Sequence, residues 1–134
     1  MGGGEVESFE RNYLIRKLSA FVACAGDTVV GALSYSEEPE RVVMVMINVL
    51  PHWQGVGAGR ALVESLTAEA KRKGIARLVV ATTNDDIPVL TFYQRLGFRI
   101  TGIKIDEVIR HHGGEITGFS GIPICDEIQL ALAL

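Results

Sequence analysis

Residues Gln54-Gly55-Val56-Gly57-Ala58-Gly59-Arg60 set a glycine at every second position between an apolar run and a stretch of helical period. The chemistry open to such a turn is anion binding by the main chain. The first N–H groups of a helix lack internal partners and lie at the positive end of its dipole. Glycine lets a ligand reach them with no Cβ in the way. The anion that fits is a pyrophosphate. A glycine turn with no ligand is the competing reading, weakened because glycine in a first helical turn lowers helix stability with no packing return.

Such a turn works only if flanking elements hold it. The apolar run Val42 to Leu50 predicts a strand from Arg41 to Leu50, interrupted by Pro51. Beyond the turn, Leu62, Leu66 and Ala70 recur at four-residue spacing with Val63 beside them, a helix running to Lys73 and closed by Gly74. Leu78-Val79-Val80-Ala81 then resumes the apolar pattern, so Arg41 to Leu96 is organised as a βαβ unit. Upstream, Phe21–Ala25 and Thr28–Tyr35 predict a hairpin turning at Gly26-Asp27, and Glu5 to Ile15 a first strand with an irregular link. Downstream, Asn84-Asp85-Asp86 offers caps for a second helix, with Pro88 in its first turn and Gly97 at its end. Phe98 to Ile105 reads as a strand, and Asp106 to Cys125 is glycine-rich, with a short helix near Val108 to His112. Glu127 to Leu134 alternates as a closing strand. The fold class is α/β, with a mixed sheet.

The 134 residues predict one domain, 1–134, with a single core. A net charge of −3 supplies no basic field for nucleic acid or an anionic membrane. No apolar run approaches the ~18 residues of a membrane span. Met1-Gly2-Gly3-Gly4-Glu5 lacks the basic-then-apolar order of a secretory leader, so a cytoplasmic location is expected. Cys24 and Cys125 are expected to be buried free thiols. His52 and the adjacent His111-His112 have no partners at metal spacing, so no metal is expected, and Trp53 reads as a packing anchor.

Several nucleotide motifs compete for the glycine turn. The dinucleotide fingerprint fails, because counting from Gly55 its third glycine falls on Arg60. A Walker loop fails for want of Gly-Lys-Ser/Thr at the helix start. Gln54, Gly57 and Gly59 do match the pattern Gln/Arg-x-x-Gly-x-Gly/Ala, preceded by Ile47-Asn48-Val49-Leu50-Pro51. A second block, Ile87 to Phe98, ends in Phe-Tyr-x-x-x-Gly-Phe. With these two blocks at this separation, the chain resembles the GNAT family of N-acetyltransferases, most strongly from Phe21 to Gly102.

The resemblance implies a mostly antiparallel central sheet with a βαβα core, parallel strands splayed at the cofactor site and a reduced N-terminal helical part. It implies that acetyl-CoA lays its pyrophosphate on the amides of Gln54, Gly55, Val56, Gly57, Gly59 and Arg60, with its pantetheine arm beside Ile47 and Val49. A main-chain N–H near Val49 would polarise the thioester carbonyl. Tyr93 matches the family's tyrosine that protonates the departing thiolate, against the alternative of an amphipathic core residue. Asp86 stands where the family has an asparagine contacting CoA; an aspartate cannot donate an amide hydrogen bond, and a helix cap is the alternative.

The strand before the glycine turn carries no carboxylate after Glu40, although many relatives place their general base there. Asn48 points to the face opposite Ile47 and Val49, and Asp126 and Glu127 are the candidate bases. The first forty residues leave little room for the family's helical pair. The acceptor cleft is therefore expected to be open, or completed by the Asp106 to Cys125 segment or by a second subunit in a homodimer. The activity implied is direct transfer of acetyl from acetyl-CoA to a primary amine, on a small molecule or a protein, in a ternary complex. The competing class is a non-catalytic acyl-CoA sensor; a nucleotide-binding regulator is a third.

Overall fold

The computed structural model describes residues 5–9, 11–14, 17–114 and 116–134. The elements in chain order are β1 (Glu5–Ser8), β2 (Arg11–Leu14), β3 (Ser19–Ala25), β4 (Thr28–Glu37), β5 (Val42–Val49), α1 (Ala58–Arg72), β6 (Arg77–Thr83), α2 (Ile87–Arg95), β7 (Arg99–Lys104), α3 (Glu107–His112), β8 (Ile116–Thr117), β9 (Pro123–Ile124) and β10 (Glu127–Ala133). Six strands share one sheet in the order β3-β4-β5-β6-β10-β7, mostly antiparallel with one parallel pair. The α/β class with a mixed sheet is therefore what the chain adopts. Two compact units make up the chain, Met1–Leu78 with Ala133–Leu134 and Val79–Leu132.

In the first unit the alternation along β3, β4 and β5 builds one packed face. Val30, Leu33 and Tyr35 of β4 and Val42, Val43 and Met44 of β5 are buried, and so are Leu62, Val63, Leu66 and Ala70 of α1. Gly31 sets the approach of the helix to the strands. A Cβ there would stand 3.2 Å from the Asn48 carbonyl oxygen and 3.3 Å from Leu62 Cδ1. Gly74, at φ 73°, ends α1. Its N–H donates to Lys71 O at 3.0 Å and that of Ile75 to Ala70 O at 3.0 Å, the paired bonds of a Schellman stop.

Three expectations in this unit are corrected. Glu5–Ser8 and Arg11–Leu14 pair antiparallel as a hairpin, rather than forming one strand with an irregular link. Phe9, at φ 52°, turns it, and Ile15 lies outside the described residues. The Glu38 carboxylate ties this hairpin down, accepting from Arg11 Nη1 at 3.0 Å, Tyr13 Oη at 3.1 Å and Arg41 Nε at 3.0 Å. Burial works against the charge of Glu38, but those donors win and hold its pKa below the usual value. Cys24 is a free thiol but an exposed one, because the period of β3 turns Val22 and Cys24 outward while Phe21 and Ala23 face in. Trp53, in a single 3-10 turn at Pro51–Trp53, remains 40% exposed, which is not the burial of a packing anchor. Among the described residues no α-helix precedes α1.

In the second unit Val79, Val80, Tyr93, Phe98, Ile128 and Leu130 are buried. β10 pairs antiparallel with β7, Glu127 opposite Lys104 and Ile128 opposite Ile103. Cys125 is half-buried rather than buried. Among the described residues no helix is long and apolar enough to cross a membrane.

Candidate functional site

The glycine turn joins β5 to α1 in the first unit. Gly55 and Gly57 take φ of 78° and 97°, which side chains with a Cβ rarely adopt, and nothing lies within 4 Å of where a Cβ would stand on either. Gly57 is the N-cap residue of α1, and no side chain caps the helix. No acidic residue occupies its first turn. The amides opening α1 thus have no capping side chain and no carboxylate in the first turn to offset their positive field. The contrast with α2 is direct, because Asp86 caps that helix by accepting from the Val89 N–H at 3.3 Å.

The Gln54 amide does not point away from the protein. Its Nε2 donates to the Val49 carbonyl at 2.9 Å, which fixes the turn to the end of β5. Arg60 adds a positive charge beside the helix start, held at 3.1 Å by Glu64 one turn on. On β5, Asn48 is exposed while Ile47 and Val49 are half-buried, as alternation requires. Leu50 donates its N–H to Val30 O at 2.8 Å. Alternation of an antiparallel ladder then directs the main-chain groups of Asn48 toward β4 and those of Ile47 and Val49 away from it.

Tyr93 lies in the last turn of α2, 3% exposed. Its ring packs on Phe98 with centroids 5.2 Å apart. Burial pushes the phenol pKa far above its ordinary value, and the charge of Asp86 adds to the shift. The hydroxyl therefore stays protonated and can only donate or accept a hydrogen bond at neutral pH. The second signature block places one candidate residue in the core and another at the cap, so both alternatives weighed for Tyr93 and Asp86 describe where these residues stand.

The two carboxylates at the start of β10 differ. Asp126 is half-buried, and its Oδ1 accepts the Asp106 N–H at 2.8 Å. Glu127 is 7% exposed, and its Oε2 accepts Gln129 Nε2 at 2.7 Å. Asp126 is thus engaged in holding the turn before α3, while Glu127 is a buried carboxylate with one oxygen engaged.

Two residues first read as helix caps do something else. Asn84 bridges to the glycine-rich segment, donating to Pro123 O at 2.9 Å and accepting the N–H groups of Cys125 and Asp126 at 2.8 and 2.9 Å. Asp85, buried, accepts from the Thr83 hydroxyl and from the Phe119 N–H, the latter at 3.0 Å. Together they give the segment before Glu127 a defined path. The signal in the sequence was the polar triplet after β6 facing a glycine-rich stretch, but short polar side chains bond so readily to nearby backbone that a cap was the simpler reading. Among the described residues no group of three His, Cys, Asp or Glu side chains gathers at metal-binding distance.

Comparison with known proteins adds to this geometry. The model of the acetyltransferase (GNAT) family matches residues 3–98. The uncharacterized N-acetyltransferase YvbK of Bacillus subtilis (strain 168) is 34% identical over 115 residues, which is 85% of this chain and 74% of that protein. A Bacillus subtilis acetyltransferase crystallised in complex with CoA superposes with a TM-score of 0.81 at 32% identity, covering 90% of this chain and 79% of that one. A GNAT family acetyltransferase from Elizabethkingia anophelis with acetyl-CoA bound superposes with a TM-score of 0.78 at 28% identity, covering 86% and 75%.

Proposed function

The chain belongs to the acetyltransferase (GNAT) family, and from that premise we propose that it is an acyl-CoA-dependent N-acyltransferase. It moves acetyl from acetyl-CoA to a primary amine by direct attack in a ternary complex, the whole chain working as one domain. The observation that carries the proposal is the uncapped, glycine-lined start of α1, with no acid in its first turn and open space over Gly55 and Gly57.

In this reading the amides from Gln54 to Arg60 take the diphosphate of CoA, and the guanidinium of Arg60 adds charge. Ile47 and Val49 offer the main-chain groups that pair with the pantetheine amides, and an N–H near Val49 stabilises the oxyanion that forms on the thioester carbonyl. Asp86 keeps its cap and borders the cofactor. Glu127, rather than Asp126, takes the proton from the acceptor nitrogen, because Asp126 anchors the turn before α3 through the Asp106 N–H, whereas the partner of Glu127 is a side chain of its own strand. A neutral amine attacks the carbonyl carbon, the carbon–sulfur bond breaks, the nitrogen gives up its proton to Glu127 as the amide forms, and Tyr93 donates a hydrogen bond to the departing thiolate. With its pKa raised this far, Tyr93 stabilises the sulfur charge as a neutral donor, and bulk water completes the protonation.

Titration calorimetry with CoA and acetyl-CoA, followed by thiol release with a panel of small amines and peptides, tests the proposal. Binding of both cofactors and amine-dependent thiol release are expected. Absence of heat with either ligand on folded protein would falsify the cofactor assignment. Binding with no acceptor-dependent release would leave an acyl-CoA sensor instead.

A further inference from the structure

We propose that Gln129 is a positioning residue that sets the Glu127 carboxylate for proton abstraction, which rests on the assignment of Glu127 as the base. The two residues stand two apart on β10 and therefore project from one face of the strand. Gln129 Nε2 donates to Glu127 Oε2 at 2.7 Å. One carboxylate oxygen is thereby fixed, and the other is left to receive the proton of the acceptor nitrogen.

The strand alongside, β7, lies next to this contact. Gln129 stands opposite Gly102 in the β7–β10 ladder. A Cβ on Gly102 would lie 3.4 Å from Gln129 Oε1, an ordinary van der Waals contact, so the amide lies against this position of β7. The ladder is also irregular at this point, its register shifting between Gln129 and Leu130. A buried carboxylate with no donor rotates or acquires a proton. One held by a neutral amide keeps its orientation without a second charge in the site. Precise placement of a reacting group is worth large rate factors, since a misplacement of about 1 Å can cost about 100-fold.

The test is a kinetic double-mutant cycle on the full chain with Glu127→Gln, Gln129→Met and the two combined. Gln129→Met keeps the length of the side chain and removes the donor. It is expected to lower kcat by about tenfold to a hundredfold, with the KM for acetyl-CoA and the melting temperature unchanged. In the Glu127→Gln background the same change is expected to do nothing more. Gln129→Leu serves as the second variant in case methionine disturbs the fold.

The outcomes separate the two assignments. If Glu127→Gln is crippled but folded Gln129→Met and Gln129→Leu turn over normally, the positioning role is wrong and the base stands. If the two losses multiply, Gln129 acts on the structure at large and the proposal is likewise overturned. If Glu127→Gln keeps its full rate, the base assignment itself fails and takes this proposal with it.

Discussion

Phe98 and Tyr93 are locked together twice. The Phe98 N–H donates to the Tyr93 carbonyl at 3.0 Å, and the two rings lie 5.2 Å apart. Gly97, between them at φ 103°, donates to Gln94 O at 3.1 Å. These are the two hydrogen bonds and the apolar contact of a Schellman stop. The pattern Phe-Tyr-x-x-x-Gly-Phe is therefore a helix terminator that also fixes the phenol. Gly97→Ala is expected to cost about 1–2 kcal/mol from the left-handed conformation alone. A Cβ there would meet Leu132 Cδ1 at 3.4 Å, an ordinary van der Waals contact that adds no clash. Urea denaturation measures the loss. A variant as stable as the parent would show that the stop is dispensable.

Tyr93→Phe separates packing from chemistry. The ring remains against Phe98, so the melting temperature is expected to stay the same or rise slightly. The donor to the departing thiolate is lost, and kcat is expected to fall by about 100-fold with little change in cofactor affinity. Because burial and Asp86 raise the phenol pKa, Tyr93 is expected to contribute no alkaline limb below about pH 10. Steady-state kinetics across pH checks both statements. A basic limb that vanishes in Tyr93→Phe would contradict them.

The parts of this fold that are legible in the sequence are those whose pattern is local. The burial of Leu62, Leu66 and Ala70 on α1, the strand at β5 and the glycine turn between them follow from period and composition over short windows. What is not legible depends on distant partners. Asn84 and Asp85 look like caps until Phe119, Pro123, Cys125 and Asp126 are brought to them. Nothing near Glu38 in the sequence shows that Arg11 and Tyr13 will reach it from the N-terminal hairpin. The bond from Gln129 to Glu127 lies within one strand, yet nothing in an alternating pattern distinguishes a joined pair of polar residues from two solvated ones. The candidate site was therefore readable where a local main-chain turn forms it and unreadable where side chains from distant parts of the sequence meet.

Gly57→Ala tests the cradle. The protein leaves room for the new methyl, so the cost to the fold is the backbone strain of φ 97°, about 1–2 kcal/mol. That methyl would stand in the open space where the diphosphate is proposed to lie. CoA affinity is therefore expected to fall about tenfold or more, measured by calorimetry at a temperature where the variant is fully folded. Loss of stability with unaltered affinity would remove Gly57 from the binding surface.

Asp85 packs closely against Gly118 and accepts the Phe119 N–H, which anchors the segment ahead of Glu127. A Cβ on Gly118 would collide with the Asp85 carboxylate and lie 2.6 Å from Ile124 Cγ1. Gly118→Ala is expected to cost about 1–3 kcal/mol, as overpacking does. Burial alone would raise the Asp85 pKa. The hydrogen bonds from Thr83, from the Phe119 N–H and from its own amide outweigh burial and hold it below the usual value. The sign of the linkage follows. The carboxylate adds stability in full above its unfolded pKa of about 3.9, and that stability drains away as pH falls through the lowered folded value. The gap in stability between the parent and Asp85→Asn is therefore expected to be widest near neutrality and to narrow in acid. Urea denaturation of both proteins at about pH 7 and at a series of pH values below about 4 measures it. A gap that stays constant down to acid unfolding would mean that the Asp85 charge does not hold this segment.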